Sequence, residues 1–249
     1  MKTILIAILI LLTIAIPVQA IDVNPAPHAS LGQGQALVLS SMNQTVPMGM
    51  YATNLMYYLK RVGYNVTYVT DGAVTVDFLL NHLNNYDLIF WRTNTFNWAH
   101  LNYWYVGEKI NPVTEQKYAS DFAAGWLNDR TGIFGISGDF VRAHFGPNTL
   151  TRVKLMVFIS SYGNSVAPQF QTAGIQSVVF CNGQISLQFG LIDDLSVQLM
   201  SYLTAGENVY SAVYDTVSPF NQGQTPKDPI DTTYSPPFWY AGDGTLTIV

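Results

Sequence analysis

The sequence predicts an α/β fold: a doubly wound, mostly parallel sheet with helices on both faces, formed by one domain over residues 36–249. Three observations predict it. Between Ala36 and Trp91, short apolar runs alternate with a helical segment, in the order strand, helix, strand, helix, strand. Most of the strand candidates are continuously apolar, as strands covered on both faces are. The 249 residues, less a short leader, are a normal size for one such domain.

Residues 1–20 read as a secretory signal peptide. Met1-Lys2-Thr3 is a short basic start, and Ile4 to Ile16 is an almost unbroken apolar run. Pro17-Val18-Gln19-Ala20 then offers a helix breaker and small residues for a cut after Ala20. The run is shorter than the roughly twenty residues a membrane span needs, so contact with a membrane is expected only if this segment stays uncleaved. Residues 21–35 read as a leader arm.

The elements follow in order. Ala36 to Ser40 is a buried strand, and Ser41 to Gly49 is a polar loop. Tyr51 to Arg61 carries Leu55, Met56, Tyr58 and Leu59 at helical spacing, with Gly63 as a stop. Tyr64 to Val69 alternates as a strand does. Val76 to Leu83 is a short helix, and Asp87 to Trp91 a buried strand. Asn94 to Tyr105 is aromatic-rich and reads as a long loop or hairpin across the top of the sheet. A helix is expected over Tyr118 to Asn128 and a strand over Ile133 to Ile136. Gly132, Gly135 and Gly138 read as loop glycines. Val153 to Ile159 is a strong strand, Ala167 to Thr172 a short helix, and Ser177 to Cys181 a strand. Asp193 to Thr204 is a helix whose first turn welcomes Asp193 and Asp194 by the helix dipole. Asn208 to Asp215 is a second helix, Val217 to Pro237 a Pro-rich loop, and Thr245 to Val249 a terminal strand.

Composition narrows the function. Charged residues are 11% and hydrophobic ones 49%, with fifteen Tyr, as suits a protein facing outward. A formal charge of −5 argues against nucleic acid as a partner, because phosphate binding needs clustered Lys and Arg. Cys181 is the only cysteine, which excludes an intrachain disulfide. Asn43-Gln44-Thr45 and Asn65-Val66-Thr67 are acceptor triplets for N-glycosylation.

In an open parallel sheet, ligands gather at the carboxyl ends of the strands. The segments there are rich in Ser, Thr, Asn and Gly, with Asp71 the only acid and no His or Glu. His28, His82, His100 and His144 share no metal-ligand spacing, and the acids form no calcium loop. No cofactor is expected. A buried Cys181 is ordinary core material.

Five stretches in order carry a resemblance. They are Tyr86 to Thr95, Val157 to Tyr162, Ala173 to Phe180, Gly206 to Ala212 and Gly242 to Ile248. Together they resemble the caspase-like fold of clan CD cysteine peptidases, nearest the gingipain-type branch. In that group one strand ends in a catalytic His and a later one in the nucleophilic Cys. Here Asn94 stands where the His would be and Tyr162 where the Cys would be; a shift of one position brings in Thr93 or Thr95, and Ser161. An amide does not shuttle protons, and a phenol with a pKa near 10 does not replace a thiolate. The resemblance therefore implies a peptidase-like scaffold without its dyad, exported and working by binding or assembly at the cell surface. Asn94, Trp98, Trp104, Ser161 and Tyr162 are the expected binding residues, and a peptide, a glycan or an envelope protein the expected partner. Packing of those aromatics on the domain itself is the plainer reading. The alternative is an active hydrolase using Ser160 or Ser161 with His100 or His144, or Cys181 with His144.

Overall fold

The computed structural model describes residues 34–42, 49–130, 132–184, 189–218 and 238–249. The signal segment, nearly all of the leader arm, the triplet at Asn43 and the Pro-rich stretch 219–237 lie outside them. Among the described residues no helix is long and apolar enough to cross a membrane.

The chain runs β1 (Gln35–Ser40), α1 (Met50–Arg61), β2 (Asn65–Thr70), α2 (Val76–His82) and β3 (Leu88–Arg92). A middle section follows, with β4 (Thr95–Trp98), β5 (Leu101–Lys109), α3 (Pro112–Lys117), α4 (Ala119–Ala123), β6 (Leu127–Arg130), β7 (Ile133–Ser137) and α5 (Gly138–His144). The chain then returns with β8 (Leu155–Ile159), α6 (Ala167–Thr172), β9 (Ser177–Cys181), α7 (Phe189–Thr204), α8 (Val209–Val217) and β10 (Phe238–Gly242).

Six strands form the main sheet in the order β10-β9-β8-β3-β1-β2. Five are parallel; β10 alone runs antiparallel, against β9. Alternate side chains of a strand point to opposite faces, and each face has its own core. Leu37, Leu39, Ile89, Trp91, Met156 and Phe158 pack with α2, α5, α6 and the middle section. Ala36, Val38, Leu88, Phe90, Leu155 and Val157 pack with α1, α7 and α8. This double cover explains why the strands read as continuous apolar runs.

The middle section departs from expectation. It builds a second, antiparallel sheet in the order β4-β5-β7-β6. The aromatic stretch is a hairpin, as one of the two expected forms had it. Its two-residue turn, Ala99-His100, has both residues at positive φ (50° and 67°), the type I′ geometry of tight hairpins. The expected helix over Tyr118 to Asn128 is present only in its first half. Helix α4 ends at Ala123, the chain turns at Gly125 (φ 71°), and Leu127 to Arg130 pairs with β7. Pairing with a neighbouring strand outweighs the helical spacing of a short segment.

The glycines there are not all loop residues. Gly135 lies inside β7, where a Cβ would meet the Phe96 ring at 2.5 Å. Gly138 opens α5, a helix the sequence reading missed, and the Ser137 hydroxyl caps it by accepting from the Phe140 N–H.

Two further corrections concern the C-terminal third. Helix α7 begins at Phe189, so Asp193 sits inside it, facing the main sheet, rather than starting it. The last strand is Phe238–Gly242, and Thr245 to Val249 is not a strand. That tail instead serves α8: the Gly244 and Leu246 carbonyls accept from the Tyr210 and Val209 N–H groups, satisfying donors that a helix start leaves open.

Candidate functional site

Strand order reverses around β1, since the chain passes from β1 outward to β2 and then back across to β3. The carboxyl ends at such a point are the usual crevice of an open α/β sheet. Strands β3 and β8 are direct neighbours, pairing from Leu88↔Leu155 to Arg92↔Ile159. Their tips therefore lie side by side, which brings the Asn94 and Tyr162 segments together.

Hydroxyls and carbonyls make the contact between the tips. The Thr93 N–H donates to the Ile159 carbonyl at 3.0 Å. Thr95 Oγ1 lies 2.6 Å from Ser160 Oγ and donates to the Ser161 carbonyl at 2.8 Å. The Trp104 indole N–H donates to that same carbonyl at 3.1 Å. Asn94 uses its side-chain oxygen locally, accepting from the Thr95 N–H. Tyr162 is half-buried and left-handed (φ 57°), with its N–H on the Gly183 carbonyl. A bulky residue in that conformation is strained by about 1–2 kcal/mol, and the β8–β9 connection holds it there.

The expected binding residues divide. Asn94, Ser161 and Tyr162 lie at the tips. Trp104 is 1% exposed, within the core between the two sheets; it pairs with Thr95 along the β4–β5 ladder and donates its indole N–H to the tip. Trp98 stands at the far end of β4 with 59% of its surface exposed.

Beneath the tips, on the face of α1 and α7, lies a charged pair that the sequence reading did not find. Arg92 is fully buried, and its Nε and Nη2 donate to Asp193 Oδ1 and Oδ2, both at 2.8 Å. The guanidinium also lies 6.0 Å from the centre of the Tyr51 ring. Burial raises the Asp193 carboxyl above the usual range, against the opposing pull of Arg92. Burial and the Asp193 charge push the Tyr51 phenol well up. Cys181 is buried on the same face, and burial drives its thiol up too, so the reactive thiolate is disfavoured. The only signal in the sequence was an arginine closing an apolar strand and an acid far downstream.

The described histidines, His82, His100 and His144, are placed elsewhere in the fold, and His28 lies outside the described residues. His144 Nε2 is 3.0 Å from Asp121 Oδ1, and its ring packs on Phe140 and Trp126. His100 is exposed at the hairpin turn, and His82 packs on Phe78. Among the described residues no three His, Cys, Asp or Glu side chains are grouped to hold a metal ion.

A second concavity lies on the antiparallel sheet. It is an open groove of about 550 Å³ whose walls include Trp98, Leu101, Tyr103 and Phe122. Tyr103 is fixed by stacking on Phe96 at 5.3 Å and by donating its hydroxyl to the Gly125 carbonyl. Glu115, Asn128, Asp129 and Asp139 supply the polar part, and among the described residues no Lys or Arg lines it. Two of the carboxylates already have partners: Asp139 pairs with Arg142 at 2.9 Å, and Asp129 accepts from the Gly132 N–H. The chain matches no known family model, and no curated protein matches it significantly.

Proposed function

We propose that this chain is an exported, catalytically silent relative of the gingipain-type peptidases, built on a caspase-like scaffold, that binds a glycan at the cell surface. The observation that carries the reading is the pair of adjacent strand ends. Ser160 spends its hydroxyl on Thr95 instead of on an imidazole or a carboxylate, and nucleophilic attack needs a base in hydrogen-bond reach of the attacking atom. The side-by-side tips support the alignment that puts Asn94 and Tyr162 at the positions of the family's dyad.

The groove on the antiparallel sheet supports the choice of ligand. An exposed indole offers a flat apolar face for the C–H face of a sugar ring, and the acceptors beside it suit hydroxyl donors. With carboxylates and no Lys or Arg among its described lining residues, the groove disfavours anions. Arg142 offsets the charge of Asp139, and the remaining carboxylates offer acceptors to sugar hydroxyls.

Two measurements test this. Purified protein incubated with a serine-directed fluorophosphonate should remain unlabelled; labelling that disappears in Ser160→Ala or Ser161→Ala would establish the hydrolase instead. On a glycan array the protein should bind neutral oligosaccharides, and Trp98→Ala should weaken the best of them about tenfold or more. The variant should fold normally, because substitutions at such exposed positions change stability by only about 0.5 kcal/mol. A Trp98→Ala protein with unchanged glycan binding would remove the groove from the proposal.

A further inference from the structure

Asn65 opens β2, the last strand of the main sheet on its parallel side. It begins the triplet Asn65-Val66-Thr67, in which Thr67 completes the acceptor pattern for an N-linked glycan. The residue is exposed, and its amide nitrogen makes a 3.1 Å hydrogen bond to the side chain of Gln35 at the surface. The atom that would be modified is therefore in reach of solvent.

The place of this strand adds a second observation. Among the described residues β2 has one strand neighbour, β1, and pairs with it in unbroken register from Gln35↔Asn65 to Ser40↔Thr70. Its sequence, Asn-Val-Thr-Tyr-Val-Thr, is rich in strand-forming residues and holds no charge and no proline. Tyr68 is 38% exposed on it. Edge strands usually carry Lys, Pro or a bulge that keeps a second chain from adding to the sheet. β2 has none of these.

We propose that Asn65 is an N-glycan attachment site and that the glycan guards the β2 edge against strand addition by other copies. The donor is a lipid-linked oligosaccharide pyrophosphate. Asn65 Nδ2 attacks the anomeric carbon and the new C–N bond forms. The C–O bond to the pyrophosphate breaks, the lipid pyrophosphate leaves, and one amide proton passes to a base. The inference rests on the export reading and is independent of the groove.

The test uses protein exported by its own host. Trypsin releases the peptide Val62–Arg92, which contains Asn65 and no internal Lys or Arg. Its mass should be raised by an oligosaccharide located at Asn65 on fragmentation. Thr67→Ala, which keeps Asn65 but destroys the triplet, should return the peptide to its unmodified mass. The same variant should move from monomer to dimer or larger species on size exclusion, and enzymatic deglycosylation of the folded wild type should do likewise. An unmodified Asn65 in the exported protein overturns the proposal. A glycan whose removal leaves the protein monomeric overturns its guarding role.

Discussion

Replacing Arg92 with methionine is expected to destabilise the protein by about 3–5 kcal/mol, the usual cost of leaving a buried charge without its partner. Arg92 is fully buried and donates twice to Asp193, whose own side chain is largely covered. Methionine fills much of the space but supplies no charge, so the Asp193 carboxylate would stay in a poorly solvating pocket.

The pH dependence of that loss follows from linkage. The folded state already raises the Asp193 pKa, because burial outweighs the pull of Arg92. In Arg92→Met the pull is gone and the pKa rises further. An acid with a folded pKa above its unfolded value binds protons more tightly when folded. Its contribution to stability therefore falls as pH rises through that interval, and recovers as pH falls. The deficit of Arg92→Met relative to wild type should be largest near neutrality and shrink in mild acid, as read by urea unfolding at several pH values. The double variant Arg92→Met/Asp193→Leu should recover most of the loss, because a well-packed apolar pair replaces a buried ion pair at little cost. A single variant as stable as wild type at pH 7 would mean that solvent reaches the pair.

Gly107→Ala is expected to cost about 3 kcal/mol, at the upper end of the range for overpacking. Gly107 lies within β5, and its N–H donates to the Val74 carbonyl at 2.7 Å. A Cβ there would sit 1.5 Å from the Asp71 carbonyl oxygen and 2.0 Å from its carbon. Both are backbone atoms, so no side chain can rotate away. The second sheet would have to lift off the turn after β2, and Trp104, which packs between the sheets, would be loosened. The unfolding midpoint should fall, and the tryptophan emission of the native variant should shift to the red. A variant with wild-type stability and emission would show that the two sheets slide past each other without loss.

The groove was only partly legible. Trp98 was named from the sequence because an aromatic-rich segment between strands suggests a contact surface. Tyr103, Phe122 and the flanking acids were not, because they come together only when β5, α4 and β6 pack. Trp104 shows the converse. One sequence segment supplied both an exposed indole and a buried one: Trp98 ends β4 in solvent, whereas Trp104 on β5 packs against Phe158 of the main sheet.

The chain by itself determined the parallel strands of the main sheet. Runs such as Ala36 to Ser40 and Ser177 to Cys181 state their strand character locally, and the Gly and polar stops around them set the lengths. The family resemblance led to the expectation that the Asn94 and Tyr162 segments would meet, and the pairing of β3 with β8 brings them together. Tertiary structure alone decided the second sheet, the antiparallel β10 and the Arg92–Asp193 pair. Strand pairing and ion pairing between residues far apart in sequence leave no local period to read. A four-residue strand such as Leu127–Arg130 holds its shape because a neighbour supplies its hydrogen bonds, and a buried arginine is tolerated because a carboxylate from a distant helix arrives to meet it.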